Sequence, residues 1–362
     1  VEARYAHYGF RSSDLSRYGA RPTRALRALF TTRPEGVIIA GGEVLGASWT
    51  NMLLYASPRL PGFGLRAARK VLGSERSDRL SRHWLRSRAE FPWIVTPEQL
   101  GGARVAYNAV GGSTRLPALA SATRRALFAQ LEQAAHLSVR DEATRALLAA
   151  GGLQPRLAPD SAVLMAEFFP REQVRAQLKP DLAAALERLG GAYLCLQVNL
   201  HVGASYAERL VPALEALYRR HGLPVLLLPI GRATLHEDQR PLGSIAARLR
   251  TPHLLAPPDL GILEIMGLIA QASVFTGTSL HGAITAAAFE VPHFALSEDV
   301  PKLLHYLKTW DLPEHAFGAS PEQLSQAVAR VVGLSGARRR AARARAVEAA
   351  WANFENLRDG LL

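Results

Sequence analysis

Short apolar runs alternate with longer amphipathic segments along most of the chain, and this alternation restricts the possible folds more than any other feature. The apolar runs at 36–40 and 225–229 have the length of single buried strands, whereas 121–135 carries apolar residues at helical spacing. Strands that alternate with helices are typical of parallel sheets covered by helices. The sequence therefore predicts an α/β fold.

The alternation of predicted strands and helices occurs in both halves of the chain. In the first half, strands are predicted at 36–40, 104–108 and 136–140, and helices at 121–135 and 141–150. In the second half, strands are predicted at 192–198, 225–229, 253–256, 273–276 and 293–296, and helices at 206–221, 242–249, 262–271 and 281–289. Because 362 residues exceed the usual size of one domain, we expect two doubly wound α/β domains.

The pattern is interrupted between 160 and 191, which places the domain boundary there. We expect an N-terminal domain over 1–165, a C-terminal domain over 190–330 and a C-terminal helix over 331–362. An Arg-rich segment at 58–90 is interpreted as an insertion in the first domain. The chain begins with Val1 rather than Met, and one interpretation is that the first domain lacks its first strand.

Positive charge is concentrated in two parts of the chain. The protein has 43 Lys and Arg against 31 Asp and Glu, for a formal charge of +12. Residues 1–90 hold 16 of these cations against 7 acids, and a second cluster lies at 338–345. Such clusters attract anions, although solvated helix faces explain them equally well. Without zinc-ligand spacing, an aromatic RNA-binding motif or a helix-turn-helix, no nucleic-acid partner is expected.

Cysteine content and hydropathy bear on the compartment. The one cysteine, Cys195, cannot form an internal disulfide, which is typical of a reducing environment. The longest apolar runs are far shorter than the roughly 20 residues of a membrane-spanning helix. We therefore expect a cytoplasmic protein without a membrane span.

The turns that follow predicted strands are the candidate sites, because open α/β sheets bind ligands at the carboxyl ends of their strands. Gly41 and Gly42 follow the first strand and could let backbone N–H groups approach a ligand, while Glu43 could accept a proton or a hydrogen bond from a sugar hydroxyl. Asn108 ends the next strand, and the segment 111–113 after it could form an anion-binding nest. A glycine pair after a strand is more often only a tight turn, and an Asn that satisfies its own turn explains the second segment equally well.

The third turn contains Arg140 and Asp141. Asp141 is predicted to cap the next helix, with Thr144 at the third helical position. A guanidinium at the end of a strand is well placed to grip a carboxylate or a phosphate through two hydrogen bonds. Arg140 is therefore a candidate ligand contact.

The fourth turn leads from a strand into a helix whose first turn carries His281 and Gly282. Free N–H groups at such a helix start favour an anion, and Thr278 and Ser279 add hydroxyl donors. A histidine in this position can act as a general acid or base, although a lone histidine can also be structural.

A metal ion is not expected. His236, Glu237 and Asp238 adjoin in sequence, but adjacent residues of one loop rarely converge on one ion. A helix start is the preferred interpretation of this segment.

Several of these motifs, taken in order, resemble the polysaccharide pyruvyl transferase family. The resemblance rests on Ser-Val-Arg-Asp-Glu-Ala-Thr at 138–144, Leu-Ala-Pro-Asp at 157–160 and Thr-Ser-Leu-His-Gly-Ala-Ile-Thr-Ala at 278–286, with Pro292 after the helix. The turns at 41–43 and at Asn108 fall where that family has similar ones. The resemblance spans roughly residues 36–300.

The resemblance implies two Rossmann-like domains similar to the glycosyltransferase-B architecture, with the site in the cleft between them. It also implies transfer of a pyruvyl group from phosphoenolpyruvate to two hydroxyls of a sugar in a surface polysaccharide or its precursor, which forms a cyclic ketal and releases phosphate without a cofactor. His281 and Glu43 would be the catalytic residues. The donor would be bound by Arg140, Thr278, Ser279 and Gly282, and the acceptor by Gly41, Gly42 and Asn108.

The acceptor in this interpretation is a sugar that could be linked to a nucleotide or a lipid. The Arg-rich segment could then cover that anionic acceptor or rest on the inner face of the membrane. Solvated helix faces remain the alternative for this segment.

Two other functions fit the same residues. In a glycosyltransferase of the same architecture, Arg140 and the helix start at His281 would hold the diphosphate of a nucleotide sugar. In an inactive member, the chain would bind an anionic glycan. Many family members carry an arginine two residues before the histidine, where this chain has Ser279, and this difference favours the binding protein.

Overall fold

The structure is a computed structural model that describes residues 6–9, 12–14, 16–56, 70–87, 89–232 and 237–362. The chain divides into two compact units: the first comprises 1–160 together with 351–362, and the second comprises 161–350. The sequence-based boundaries leave 166–189 outside both domains, and the structural division assigns these residues to the second unit. Residues 57–69, Arg88 and His236 lie outside the described residues.

The first unit is built on a four-stranded parallel sheet. Its strand order is β3-β4-β5-β6, and a separate parallel pair, β1-β2, precedes it in the chain. Every neighbouring pair in the sheet is parallel, so the turns after its strands lie at one edge. The strands are β1 (Tyr8–Gly9), β2 (Arg24–Ala25), β3 (Gly36–Ala40), β4 (Arg104–Val110), β5 (His136–Val139) and β6 (Arg156–Leu157).

The second unit contains a six-stranded parallel sheet in the order β12-β11-β10-β7-β8-β9. Counted from its first strand, this is the doubly wound Rossmann order, in which the chain reverses its direction of travel between β7 and β10. Ligands of such sheets bind at that switch point. The strands are β7 (Leu194–Gln197), β8 (Val225–Leu227), β9 (His253–Leu255), β10 (Val274–Gly277), β11 (His293–Leu296) and β12 (Gly318–Ala319).

Helices connect these strands in both units. The described helices of the first unit are α1 (Trp49–Ala56), α2 (Ser74–Trp84), α3 (Ser121–Leu131) and α4 (Glu142–Ala149). The second unit contains α5 (Met165–Phe168), α6 (Arg171–Ala176), α7 (Pro180–Arg188), α8 (Leu200–His221), α9 (Gln239–Ala246), α10 (Ile262–Ala270), α11 (Leu280–Ala288), α12 (Pro301–Trp310) and α13 (Leu324–Val332). The last helix, α14 (Gly336–Leu361), begins in the second unit and ends in the first. Within the described residues, no helix is both long and apolar enough to span a membrane.

Each unit has an apolar core on its sheet. In the first, Val105, Tyr107 and Val110 of β4 pack with Leu45 and Leu127. In the second, the residues of β7, β8 and β10 are completely or almost completely buried. Burial stabilises each large apolar side chain by about 1.5–3 kcal/mol, so continuous apolar runs favour central strands over surface ones. The predicted α/β fold with parallel sheets is confirmed.

The predicted elements differ from the structure mainly at their ends. The strands predicted at 36–40 and 293–296 have the predicted bounds. Helix α8 starts at Leu200, six residues before the predicted start, because the side chain of Asn199 accepts a hydrogen bond from the Val202 amide and caps the helix there. Apolar spacing alone does not mark residues 200–205 as helical, so it does not predict this earlier helix start.

Candidate functional site

Arg140 and Glu43 form a buried ion pair at the carboxyl edge of the first sheet. The Arg140 Nη2 donates to Glu43 Oε2 at 2.6 Å. The other carboxylate oxygen of Glu43 accepts from the amide and the hydroxyl of Thr114, at 3.2 and 2.8 Å. Strands β3 and β5 therefore deliver the two predicted side chains to one place, and each end of the Glu43 carboxylate has a partner.

The Arg140 guanidinium also lies near two further carboxylates. Its Nη1 is 3.9 Å from Asp160 Oδ2 and its Nε is 4.0 Å from Asp141 Oδ2. The side chain is only 1% exposed. One cation is thus surrounded by three acids, so a donor carboxylate would have to replace one of them to reach Arg140. The role of Arg140 in donor binding stays a prediction.

Gly111 allows the Arg140–Glu43 pair to form. A Cβ atom at this glycine would lie 2.7 Å from Arg140 Nε and Nη2 and 2.7 Å from Glu43 Oε2. The Gly111 amide donates to the Gly42 carbonyl at 2.8 Å, so the turns after β3 and β4 are joined through their glycines. Gly41 and Gly42 both have positive φ, 61° and 79°, a backbone conformation that glycine adopts without strain.

Asp141 caps α4 as predicted. Its Oδ1 accepts from the Thr144 amide at 2.7 Å and from the Thr144 hydroxyl at 2.8 Å. Burial raises the pKa of the Asp141 carboxyl, although the Thr144 hydrogen bonds and the Arg140 charge oppose that shift. The cap fixes the start of α4 directly after the Arg140 backbone.

Asn108 is buried in a hydrogen-bond network with the end of α14. Its Oδ1 accepts from Asn353 Nδ2 at 2.6 Å, and Asn353 Oδ1 lies 3.1 Å from His136 Nε2. Burial lowers the pKa of His136, and the Asn353 hydrogen bond partly offsets this. The next residue, Ala109, has a φ of 49°, which is strained for a residue with a Cβ atom. Acceptor binding by Asn108, Gly41 and Gly42 stays a prediction.

In the second unit, Gln197 and Thr278 join the ends of the two strands at the switch point. The Gln197 Oε1 accepts from the Thr278 amide at 2.9 Å and from its hydroxyl at 3.1 Å. The Thr278 hydroxyl oxygen accepts in turn from the Asn199 amide at 3.0 Å. The turn after β10 is therefore held to the turn after β7, and the predicted hydroxyl of Thr278 takes part in that internal network.

Ser279, His281 and Gly282 form the start of α11. The Ser279 Oγ accepts from the Gly282 amide at 3.1 Å and caps the helix. Gly282 is buried, and a Cβ atom there would lie 2.5 Å from the Phe275 ring. His281 is the exposed residue of this turn. The helix thus presents an imidazole at its N-terminus, where backbone N–H groups favour an anion.

Asp238 bonds the end of one strand and the turn after another at the carboxyl edge of the second sheet. Its Oδ2 accepts from Gln197 Nε2 at 2.8 Å and from the amides of Ile230 and Gly231, at 3.1 and 2.7 Å. Helix α9 begins directly after it at Gln239, which agrees with the interpretation of 236–238 as a helix start but lies three residues before the start predicted from apolar spacing. Asp238 thereby ties the turn after β8 to Gln197 and, through it, to Thr278.

A separate buried cluster, His293, Asp311 and His315, lies at the opposite, amino edge of the second sheet, because His293 is the first residue of β11. His293 Nε2 is 2.7 Å from Asp311 Oδ2, and His315 Nδ1 is 2.8 Å from Asp311 Oδ1. Two ligand atoms on one tetrahedral zinc ion would be about 3.3 Å apart. The shorter distances are those of direct contacts, a hydrogen bond between His315 and Asp311 and an ion pair between His293 and Asp311.

Protonation of His293 accounts for this cluster. Its Nδ1 donates to the Val291 carbonyl at 2.8 Å while its Nε2 lies 2.7 Å from Asp311 Oδ2, so both ring nitrogens face oxygen atoms, as a protonated imidazole does. Burial by itself lowers the pKa of His293, but the charge and hydrogen bond of Asp311 raise it above the ordinary value. Burial by itself raises the pKa of Asp311, but the charge and hydrogen bond of His293 hold that pKa well below its usual range.

Comparison with known proteins identifies the fold and the family. The profile of the family described as polysaccharide pyruvyl transferase matches residues 15–300. An α,α-trehalose-phosphate synthase (UDP-forming) from Burkholderia xenovorans in complex with glucose-6-phosphate is 15% identical, with 75% of this chain and 71% of that chain covered and a TM-score of 0.50. A UDP-GlcNAc 2-epimerase from Methanocaldococcus jannaschii is 14% identical, with 86% and 72% covered and a TM-score of 0.49. No curated protein sequence matches.

Parallel Rossmann-like sheets and the match over residues 15–300 define an α/β transferase, similar in fold to the glycosyltransferase-B proteins. The chain belongs to the polysaccharide pyruvyl transferase family. The predicted family, fold class and enzyme class are confirmed. At 15% identity, the likeness to the synthase shows the fold alone.

Sequence reasoning missed the residues that hold the candidate side chains in place. Thr114, Asn353 and Gln197 each bond a predicted residue, but their partners lie 71, 245 and 81 positions away, so the local sequence does not reveal these bonds. Asp160 is identified from the sequence only through the Leu-Ala-Pro-Asp motif at 157–160, which belongs to the family resemblance. Gln197 had one signal, because it is a polar residue at the end of an apolar strand.

Proposed function

We propose that this protein transfers a pyruvyl group from phosphoenolpyruvate to two hydroxyls of one sugar in a surface polysaccharide or its precursor, forming a cyclic ketal and releasing phosphate. The observation that carries the proposal is the position of His281 within the family-matched region. It is exposed in the first turn of α11, at the switch point of a Rossmann-ordered sheet.

The reaction needs one proton delivered to carbon. A proton added to the methylene of phosphoenolpyruvate makes the methyl group, and a sugar hydroxyl then attacks the adjacent carbon. The bond from that carbon to the phosphate oxygen breaks, phosphate leaves with the electron pair, and the second hydroxyl closes the ring. Two hydroxyl protons are lost, which balance the proton gained by the methyl group and the one that leaves on phosphate.

We assign the proton delivery to His281, and phosphate binding to the helix start formed by Ser279 and Gly282 with Thr278. An imidazole is the side chain that most often serves as a general acid in enzymes. A helix N-terminus favours an anion through its backbone N–H groups. Because Gln197 and Asn199 fix Thr278, this helix start is held in place before any ligand arrives.

In the first unit, we assign Glu43 to the acceptor hydroxyl, with Gly41, Gly42 and Asn108 as acceptor contacts and Arg140 as the contact of the donor carboxylate. The Glu43 carboxylate already accepts from Arg140 and Thr114. A sugar hydroxyl at Glu43, or a donor carboxylate at Arg140, would therefore exchange for an internal bond. The acceptor would be a sugar linked to a nucleotide or a lipid, met in the cytoplasm or at the inner membrane face, and the reaction would need no cofactor.

The test measures phosphate released from phosphoenolpyruvate with nucleotide-linked and lipid-linked sugars, followed by mass analysis of the product. In D2O the product should carry one deuterium in its methyl group, because the added proton comes from solvent. His281→Ala should lower kcat by about 10²- to 10⁴-fold. His221→Ala is the matched control, since His221 is exposed at the far end of α8, and it should keep wild-type turnover.

Two results would overturn the proposal. Release of a nucleoside diphosphate from a nucleotide sugar, without use of phosphoenolpyruvate, would favour a glycosyltransferase, the alternative suggested by the fold shared with a UDP-forming synthase. Glycan binding without turnover of either donor would favour the inactive binding protein. Wild-type turnover by His281→Ala would remove His281 from the chemistry and leave the reaction itself standing.

A further inference from the structure

Helix α2 is amphipathic in the opposite sense from most helices of globular proteins. The residues that it buries are polar, Ser77 and Ser81. The large apolar side chains Leu80 and Trp84 are 57% and 71% exposed, and Val71 just before the helix is 83% exposed. A helix normally buries its apolar stripe, so this arrangement leaves apolar surface available for a ligand outside the unit.

Polar contacts explain how α2 stays attached in this orientation. The Asp78 carboxylate accepts from the Trp49 and Thr50 amides at 3.1 and 3.0 Å and from the Thr50 hydroxyl at 2.6 Å. It thereby bonds the first N–H groups of α1, which have no partner within their own helix. Neither Leu80 nor Trp84 takes part in these contacts.

Cations surround the exposed apolar side chains. Residues 70–87 carry five cations against two acids, and one of these acids is Asp78, which is used internally. We name as the basic apolar face the exposed residues Val71, Arg76, Arg79, Leu80, Trp84 and Arg86. Arg76, Leu80 and Trp84 are spaced by four residues, so they follow one another along one side of the helix.

The chemistry of this face selects among anionic partners. A soluble polyanion would contact the arginines and leave Trp84 and Leu80 in water. The headgroup region of an anionic bilayer accommodates both kinds of side chain, because basic residues bind its phosphates while Trp and Leu enter the boundary with the acyl chains. Four of the ten large apolar residues that are exposed in the described part of the chain fall within 71–84, so this concentration is specific to the segment.

We propose that the basic apolar face is a membrane-docking surface that binds anionic phospholipid bilayers. The proposal goes beyond the transfer reaction and does not depend on it. It would bring the first unit to the surface where a lipid-linked sugar is presented, but the binding is a property of α2 and its flanking residues. Because the attraction is partly electrostatic, salt should weaken it.

The experiment is co-sedimentation of the full chain with vesicles of phosphatidylcholine alone or mixed with phosphatidylglycerol, without any enzyme substrate. We expect binding only to the mixed vesicles. Leu80→Gln with Trp84→Gln, and separately Arg76→Gln with Arg79→Gln, should each weaken binding at least tenfold. The matched controls are Ile262→Gln with Val332→Gln, and Arg340→Gln with Arg345→Gln, which change other exposed residues elsewhere in the chain and should leave binding unchanged.

A second readout keeps the result specific to lipid. Trp84→Phe should remove most of the fluorescence change that brominated phosphatidylglycerol vesicles cause in the wild type. The proposal is overturned if mixed vesicles do not bind, if the controls weaken binding as much as the face variants, or if dextran sulfate binds equally well and only the arginine variant reduces that binding. Vesicle binding without turnover of phosphoenolpyruvate would contradict the proposed reaction and leave the docking surface standing.

Discussion

The close approach of Gly111 to the Arg140–Glu43 pair gives the sharpest test of the first-unit site. In Gly111→Ala, the new methyl group would lie 2.7 Å from three atoms of the pair, about 0.7 Å inside ordinary van der Waals contact. Gly111 does not have a positive φ, so backbone strain does not contribute. The pair must open within a buried setting where Arg140 is 1% exposed.

The expected cost combines two effects. Overpacking costs about 1–3 kcal/mol, and full loss of one partner of a buried pair costs about 3–5 kcal/mol. Because Asp160 and Asp141 stay within 4.0 Å of the guanidinium, the pair is weakened rather than lost. We expect the first unit to be destabilised by about 2–4 kcal/mol, which corresponds to a 30- to 700-fold larger opening equilibrium.

Hydrogen exchange measures the destabilisation of the first unit, because peptides from the first and second units report the opening of each unit individually. Protection should fall in peptides of β3, β4 and β5. Gly243→Ala is the control: this glycine of α9 has open space around its Cβ position, so alanine should be neutral or stabilising by up to about 1 kcal/mol. Unchanged protection in Gly111→Ala would refute the reasoning, as would strict additivity with Glu43→Ala, since the two changes act on the same pair.

Three further predictions concern the second unit. Asp311→Asn should destabilise it by about 3–5 kcal/mol in chemical denaturation, because His293 loses its buried counterion; an effect below about 1 kcal/mol would contradict a charged pair. The stability advantage of the wild type over His293→Gln should be complete below pH 6.5 and should shrink as pH rises through the raised folded-state pKa of His293. Denaturation midpoints from pH 5.5 to pH 9 would measure this trend. A stability advantage that grows with pH would contradict it. Ser279→Ala should cost about 1 kcal/mol of stability through the lost cap of α11, whereas Ser279→Asp should retain most of it.

The sheets could be predicted from the sequence because their central strands are apolar runs that have no other place to be buried. Strands β6 and β12 could not, since two residues each carry no periodic signal. The rule that ligands bind at strand ends identifies the candidate turns. It does not predict how the side chains of these turns pair, because Arg140 bonds Glu43 over a separation of 97 residues and Asn108 bonds Asn353 over 245. Such contacts depend on the order of strands, which alternation does not determine.

The return of α14 to the first unit has a consequence for how the protein is made. Asn353 supplies the buried partners of Asn108 and His136, yet residues 161–350 are synthesised before it. At a ribosomal rate of about 5–20 residues per second, Asn353 follows residue 160 by roughly 10–40 s, and its bonds to Asn108 and His136 form only after that interval. The first unit therefore completes this network only after residue 353 has been made, and a fragment ending at residue 160 would keep the first unit in that unfinished state.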